Sequence, residues 1–378
     1  MSDSNLNSIY PARHARLVAA LQQAGLDALV LNAGPSLVYL TGLHFHLSER
    51  PVVAIFSFAA PLTIVLPEFE AGKAENLPYP VQVFTYPEDP ALWSQVFQKA
   101  ASAAQMGSGM VGAEPRQLRL LELRLLEAAM PEAQFVGAEE SVAQLRSRKD
   151  EAEITAMRKA VTIAQQALQA ILPSIQAGQT EREIAAELTL QVLRHGSDPE
   201  APFSPIVAAG PNSANPHAVP GDRPLARGDL LIIDWGARAG GYVSDLTRTF
   251  AMGEPDAELA RIASIVKEAN MAARTLAAPG VMASEVDYAA RSVIERAGYG
   301  KYFTHRTGHG IGLEGHEDPY IRSGNPLLLE PGMTFTIEPG IYIPGRGGVR
   351  VEDDAVITPS GCESLSDLPR ELLILNGR

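Results

Sequence analysis

Two stretches of this chain repeat one another, and both copies carry acids where an apolar run ends. Leu225 to Asp245 reads LARGDLLIIDWGARAGGYVSD, and Leu329 to Glu352 reads LEPGMTFTIEPGIYIPGRGGVRVE. Gly228 stands six residues before Asp234, as Gly332 stands six before Glu338. Gly241 then precedes Asp245 by four, as Gly348 precedes Glu352. Each copy is expected to be a β-hairpin with one carboxylate where the first strand ends and another on the second. Two related hairpins bring four carboxylates to one point, where like charges cannot stay buried unless cations neutralise them. Two divalent ions balance four carboxylates, and oxygen-rich ligation suits Mn²⁺ or a similar ion. Any one of these acids would pass for a solvated strand end; four in a duplicated frame do not.

At 378 residues the chain has room for about two domains. Its 46% hydrophobic and 20% charged residues are those of a soluble globular protein. A net charge of −13 argues against nucleic acid or an anionic membrane as the main partner. Cys362 is the only cysteine, which leaves no intrachain disulfide and no thiolate zinc site. The opening MSDSNLNSIYPARHARL has no apolar secretion core, and no apolar run reaches spanning length. The expected location is the cytoplasm.

Strand-like runs at 26–31, 52–58, 62–66, 81–84 and 110–113 alternate with helical patterns at 11–24, 90–105 and 115–129. That alternation predicts an α/β domain over residues 1–140. Ser141 to Asp150 is charged and helical in pattern, and the domain link is placed there. Helices follow at 150–172 and 181–194, the second with Thr180 as N-cap and Glu183 three residues later. Further helices fit 255–277 and 283–297, with Gly298 ending the last. Residues 141–378 therefore read as helices, hairpin, helices, hairpin: an α+β domain with an internal duplication.

Between the acid-bearing stretches lies HRTGHGIGLEGHEDP, His305 to Pro319. Carboxylates alone hold divalent ions loosely, and an imidazole selects a transition metal over Mg²⁺. His309 is the best candidate, because Gly308 and Gly310 on either side let other backbone approach closely. His305, four residues earlier, is expected near the site rather than on the metal.

These residues resemble the pita-bread metallopeptidases, the group of methionine aminopeptidase, aminopeptidase P and prolidase. The likeness covers the second domain from about Ala201 to Asp354, and the first domain resembles the creatinase-type N-terminal domain of prolidase and aminopeptidase P. The resemblance implies an α/β N-terminal domain and an α+β pita-bread catalytic domain with an internal pseudo-twofold repeat. It implies five metal ligands, Asp234, Asp245, His309, Glu338 and Glu352, with Asp245 and Glu352 bridging two ions. Mn²⁺, Co²⁺ and Zn²⁺ all fit such a set. It implies a hydroxide held between the ions as nucleophile, with Glu338 moving its proton to the leaving amine. His217, in NPHAVPGD, and His316, in GHED, match the two substrate-side histidines. Arg350, two residues before Glu352, is expected to orient carboxylates. Tyr342 is expected to wall the substrate pocket.

FTIEPGIYIPGRGGVRVED and PHAVPGD resemble prolidase-like members more than methionine aminopeptidases. The implied substrates are small peptides with proline second, cleaved as dipeptides; the alternative is an aminopeptidase P acting on longer peptides. A dipeptidase must hold the free carboxylate of the leaving proline. Where some prolidases place an arginine after the HExP segment, this chain has Tyr320, which leaves Arg322 and Arg50 as candidates. A homodimer is also implied. A metal-free creatinase or a binding protein on the same fold would lack the acid and histidine set.

Overall fold

The computed structural model describes residues 3–375 and divides the chain into two compact units, Met1–Arg146 and Ser147–Arg378. The first unit is a six-stranded mixed sheet with helices. Its helices are α1 (Asp3–Ala24), α2 (Pro35–Thr41), α3 (Trp93–Ala103), α4 (Leu120–Ala129) and α5 (Glu139–Arg146). Its strands are β1 (Ala28–Asn32), β2 (Val53–Ser57), β3 (Leu62–Pro67), β4 (Val81–Tyr86), β5 (Ser108–Ala113) and β6 (Glu132–Gly137), in the order β4-β3-β2-β1-β5-β6. The central strands read as continuous apolar runs because both faces are covered: all five residues of β1 are buried. Val30, Ile55 and Val65 pack with Phe97 and Ala100 of α3 in one core. The α/β architecture expected of this region is what the structure contains.

In the second unit α6 (Glu151–Ile171) and α7 (Glu181–Arg194) precede β7 (Ile206–Ala209) and β8 (Leu230–Trp235). A two-residue ribbon, β9 (Arg238–Ala239) and β10 (Tyr242–Val243), leads into β11 (Leu246–Met252). Then α8 (Ala257–Leu276) and α9 (Ala283–Arg296) precede β12 (Gly308–Gly310), β13 (Glu317–Ile321) and β14 (Thr334–Ile337). A second ribbon, β15 (Gly340–Ile343) and β16 (Gly347–Arg350), leads into β17 (Asp353–Thr358), followed by β18 (Gly361–Ser364) and β19 (Leu373–Leu375). Thr180 and Glu183 close a reciprocal capping box at the start of α7, as expected, and Asp150 with Glu153 does the same for α6.

Each half of this unit packs a helix pair on its own sheet. One core joins Val161, Leu168 and Leu188 of α6 and α7 to Leu231, Ile233 and Phe250 of β8 and β11. The other joins Val266, Ala269 and Ala290 of α8 and α9 to Phe335, Ile337 and Ala355 of β14 and β17. β11 pairs with β8, and β17 pairs with β14. This is the pseudo-twofold pita-bread arrangement that the resemblance implied. The halves meet where Thr247 bridges Glu352.

The acids sit slightly differently from a plain hairpin. Asp234 is inside β8, whereas Glu338 lies one residue past β14; Asp245 and Glu352 each stand one residue before the returning strand rather than on it. The cause is the short ribbon inserted in each copy, which breaks the ladder before the second acid. A carboxylate released from the ladder can turn into the seam between halves.

Candidate active site

The seam places acids from both copies in a buried position. Asp234, Asp245, His309 and Glu352 are 8%, 6%, 3% and 2% exposed, too little for water to screen their charges. Asp245, His309 and Glu352 each offer one donor atom, and the three lie within 4.8 Å of one another. His309 Nε2 is 3.8 Å from Asp245 Oδ2 and 3.3 Å from Glu338 Oε1. Its Nδ1 lies 3.1 Å from the Gly310 carbonyl, which fixes the proton there and leaves the Nε2 lone pair facing the acids. The close approach explains both neighbouring glycines. A Cβ at Gly308 would strike the Thr336 carbonyl, and one at Gly310 would strike the backbone of Asp318.

Burial raises every carboxyl of the cluster above its ordinary range. Asp245 is driven well up by burial, then by the charges of Glu352, Asp234 and Asp354. Glu352 is likewise raised by burial and then by Glu338 and Asp234. Glu338 is pushed up to about 7, chiefly by burial, with Arg350 acting against the shift. Asp234 is raised by burial although Arg350 Nη2 stands 2.5 Å from its Oδ2. His309 moves the other way: burial first, and then the neighbouring His316, hold it well below the usual imidazole range. Arg350 offsets the carboxyl shifts only in part. Asp234 Oδ1, Asp245 Oδ1 and Asp354 Oδ1 are buried and receive no hydrogen bond among the described residues. Oxygen lone pairs and one imidazole lone pair facing a common point are the donor set of a divalent transition ion. The residues present fit such ions.

Around this cluster Arg350 makes four bonds. Besides Asp234, its guanidinium donates to Thr247 Oγ1 at 3.1 Å, to the Pro216 carbonyl at 3.2 Å and to the Tyr342 hydroxyl at 3.0 Å. Tyr342 is buried, and its hydroxyl also lies 2.9 Å from His305 Nε2. His305 Nδ1 faces the Arg306 carbonyl at 2.7 Å and lies 3.9 Å from Glu338 Oε2. Burial, then Arg350, holds His305 down at about 4, so it is neutral and its Nε2 accepts from Tyr342. His316 and His217 are both exposed. The His316 ring lies 4.0 Å from that of His309.

The two arginines considered for a carboxylate clamp both have protein partners. Arg322 is exposed and donates to the Ser323 carbonyl at 3.1 Å. Arg50 belongs to the first unit, where its Nε meets Glu88 at 3.0 Å and its Nη1 meets Glu49 at 2.5 Å.

Several residues of the site were not singled out by sequence reasoning. Thr247 Oγ1 donates to Glu352 Oε2 at 2.6 Å, and Asp354 Oδ2 accepts from the Asp245 amide at 3.1 Å. Each stands two residues past the second acid of its copy and contacts that acid in the other copy. Extending the repeat by two residues would have found both. Asp353, next in line, is fully buried and points away from the cluster. Arg248 Nη2 and Arg370 Nε contact it at 2.7 and 2.6 Å, Ser366 Oγ at 2.6 Å and Asn270 Nδ2 at 3.1 Å. Burial alone would raise Asp353, but Arg248 and Arg370 outweigh it and hold it near about 2. Lys149 Nζ and Glu317 Oε1 form a buried pair at 2.5 Å beside the glycine-rich segment.

Comparison with known proteins agrees with this geometry. The family model described as metallopeptidase family M24 matches residues 155–359, and that of the creatinase/prolidase N-terminal domain matches residues 13–148. The probable dipeptidase PepE of Mycobacterium tuberculosis is 38% identical over 97% of each chain. The Xaa-Pro dipeptidase of Lactobacillus delbrueckii subsp. lactis is 36% identical over 94% of this chain and 96% of its own. The crystal structure of a prolidase from Thermococcus sibiricus superposes with a TM-score of 0.91 at 33% identity, covering 97% of this chain and 99% of that one. With its catalytic-domain model and full-length relatives in agreement, the chain belongs to metallopeptidase family M24.

Proposed function

We propose that this chain is an Xaa-Pro dipeptidase that hydrolyses small peptides with proline in second position. The reading is carried by one observation: the buried side chains of Asp245, His309 and Glu352 each offer one donor atom, and the three atoms lie within 4.8 Å of one another. Asp234, Asp245, His309, Glu338 and Glu352 would hold two divalent ions, Mn²⁺ in the first instance, with Co²⁺ or Zn²⁺ accepted by the same donors. Bound there, such ions supply Lewis acidity to the scissile carbonyl and acidify water near neutral pH.

The chain's own groups do the rest. Glu338 takes the proton of the attacking water and returns it to the proline nitrogen as the C–N bond breaks, help worth roughly 10²–10⁴-fold. His316, kept neutral by partial loss of hydration and by the charge of Arg306, donates to the carbonyl oxygen as it gains charge. His217 borders the exposed side of the cluster and contacts the substrate there. Arg350, braced by Tyr342, holds Asp234 in its ligating orientation. The relatives' dipeptidase names support the substrate class. A homodimer working in the cytoplasm completes the reading. No helix among the described residues is long and apolar enough to cross a membrane.

The test is hydrolysis of Ala-Pro and Ala-Pro-Ala by protein stripped of metal and reloaded with Mn²⁺, Co²⁺ or Zn²⁺. Metal-dependent cleavage favouring Ala-Pro is expected. Faster tripeptide cleavage would turn the reading to an aminopeptidase P, and no cleavage with any metal would end it.

A further inference from the structure

Arg306 is half-buried, yet among the described residues no acid or carbonyl meets its guanidinium. Its group lies over the Tyr320 ring, 4.6 Å from the centroid. Arg248 and Arg350, by contrast, donate at nearly every nitrogen. An arginine partly withdrawn from water ordinarily gains a carboxylate, phosphate or carbonyl in exchange. An aromatic platform fixes the plane of the fork without neutralising its charge. Such an arginine is set up for an anion.

The strands show where that anion would lie. Along β13, Glu317, Pro319 and Ile321 are buried, whereas Asp318 and Tyr320 are half-exposed. By strand alternation Tyr320 shares the open face of β13 with Asp318 and with His316 just before it. Arg306 enters β12 on the adjoining strand, where the Thr307 amide donates to the Ile321 carbonyl at 3.0 Å and Gly308 pairs with Ile321. Its charge is accordingly felt at His316, His309 and Glu338. Arg306 thus stands on the side where the substrate's scissile bond must lie.

We propose that Arg306, seated on Tyr320, recognises the free C-terminal carboxylate of the dipeptide and so sets the length of peptide accepted. The inference rests on the dipeptidase reading. In Xaa-Pro the carboxylate is attached to the proline Cα, one carbon from the nitrogen being released, so its anchor has to stand close to the groups that handle the scissile carbonyl. A guanidinium fork meets a carboxylate with two parallel hydrogen bonds. A longer peptide presents an amide there, which offers one oxygen and no charge. The Tyr320 that replaces an arginine after the HExP segment is then part of the same clamp, supplying the platform rather than the charge.

The experiment compares Ala-Pro with Ala-Pro amide on Mn²⁺-loaded wild type, Arg306→Gln and Arg306→Lys, with inhibition by free proline measured alongside. Arg306→Gln is expected to raise KM for Ala-Pro on the order of 10–100-fold, the loss of one charge-assisted contact. The loss on the amide is expected to be much smaller, proline inhibition should weaken in parallel, and Arg306→Lys should recover part of the preference. Equal losses on acid and amide, or an unchanged KM for Ala-Pro, would overturn the assignment. Failure of the loaded wild type to cleave Ala-Pro would remove the dipeptidase reading, and the clamp with it.

Discussion

Thr247 and Glu352 tie the two copies of the repeat together twice. The Glu352 amide donates to the Thr247 carbonyl at 3.1 Å, and Thr247 Oγ1 donates to Glu352 Oε2 at 2.6 Å. Across the seam the Asp245 amide and the Asp354 carboxylate make the reciprocal contact. One backbone pairing therefore brings acids of both copies together and aims one of them.

Thr247→Val keeps the shape of the side chain and removes the hydroxyl that aims Glu352. Metal affinity should fall on the order of 10–100-fold, as for other residues that orient a ligand. Thr247→Ser should retain most of it. Titration of metal-free protein with Mn²⁺ by calorimetry checks this; unchanged affinity in the valine variant would count against an orienting role.

Metal removal should reverse the pH dependence of stability. Glu338 is raised to about 7, and Asp245 and Glu352 are raised well above the ordinary carboxyl range, so the folded metal-free chain keeps protons that the unfolded chain has released. Their contribution is whole below the unfolded carboxyl range, about 4, and drains away as pH rises through the folded values. His305, held at about 4, pulls the other way below about pH 6.5, so the carboxyl effect is read above it. Between pH 6.5 and 8.5 the chelated protein should lose on the order of 3–10 °C of Tm, and the Mn²⁺-loaded protein much less. Scanning calorimetry decides; a chelated Tm that climbs over this window would refute the account.

Asp353→Asn leaves Arg248 and Arg370 facing one another without their shared carboxylate. Breaking such a buried pair costs about 3–5 kcal/mol, which urea unfolding at pH 7 measures. Asp353 is depressed to about 2, so its stabilisation is present above about pH 4 and fades as pH falls through 2. The gap between wild type and variant should therefore narrow in strong acid. A gap that persists at pH 2 would mean that packing, not charge, is responsible.

Arg350→Lys preserves charge but offers no fork for Asp234, Tyr342, Thr247 and the Pro216 carbonyl together. kcat/KM should fall about 10–100-fold. Tyr342→Phe removes one of those four contacts and should cost less. Steady-state kinetics on Ala-Pro with metal content measured in parallel separates weakened chemistry from lost metal.

The acids of the repeat were legible because spacing survives folding: Gly228 to Asp234 and Gly332 to Glu338 occupy equivalent places in the two halves. Caps such as Thr180 with Glu183 are local and were equally readable. Asp353 was not, because in the run VEDD a residue that meets Arg248 and Arg370 looks like its neighbours. Arg306 also escaped notice, since an arginine among glycines reads as solvated until Tyr320 is seen beneath it. The ribbons inserted before Asp245 and Glu352 were missed because strands of two residues in one copy and four in the other leave little periodic trace. What sequence showed was pattern within a segment; what it hid was which distant segment each side chain meets.

The seam also sets when a nascent chain can acquire its metal. Thr247 and Glu352 meet across 105 residues. A ribosome that has released β11 has delivered Asp234 and Asp245 but neither glutamate nor the histidine. An acid pair in open water holds a transition ion weakly. Tight capture thus awaits the last strands, and an abandoned fragment of this polypeptide is no sink for the cell's divalent metal.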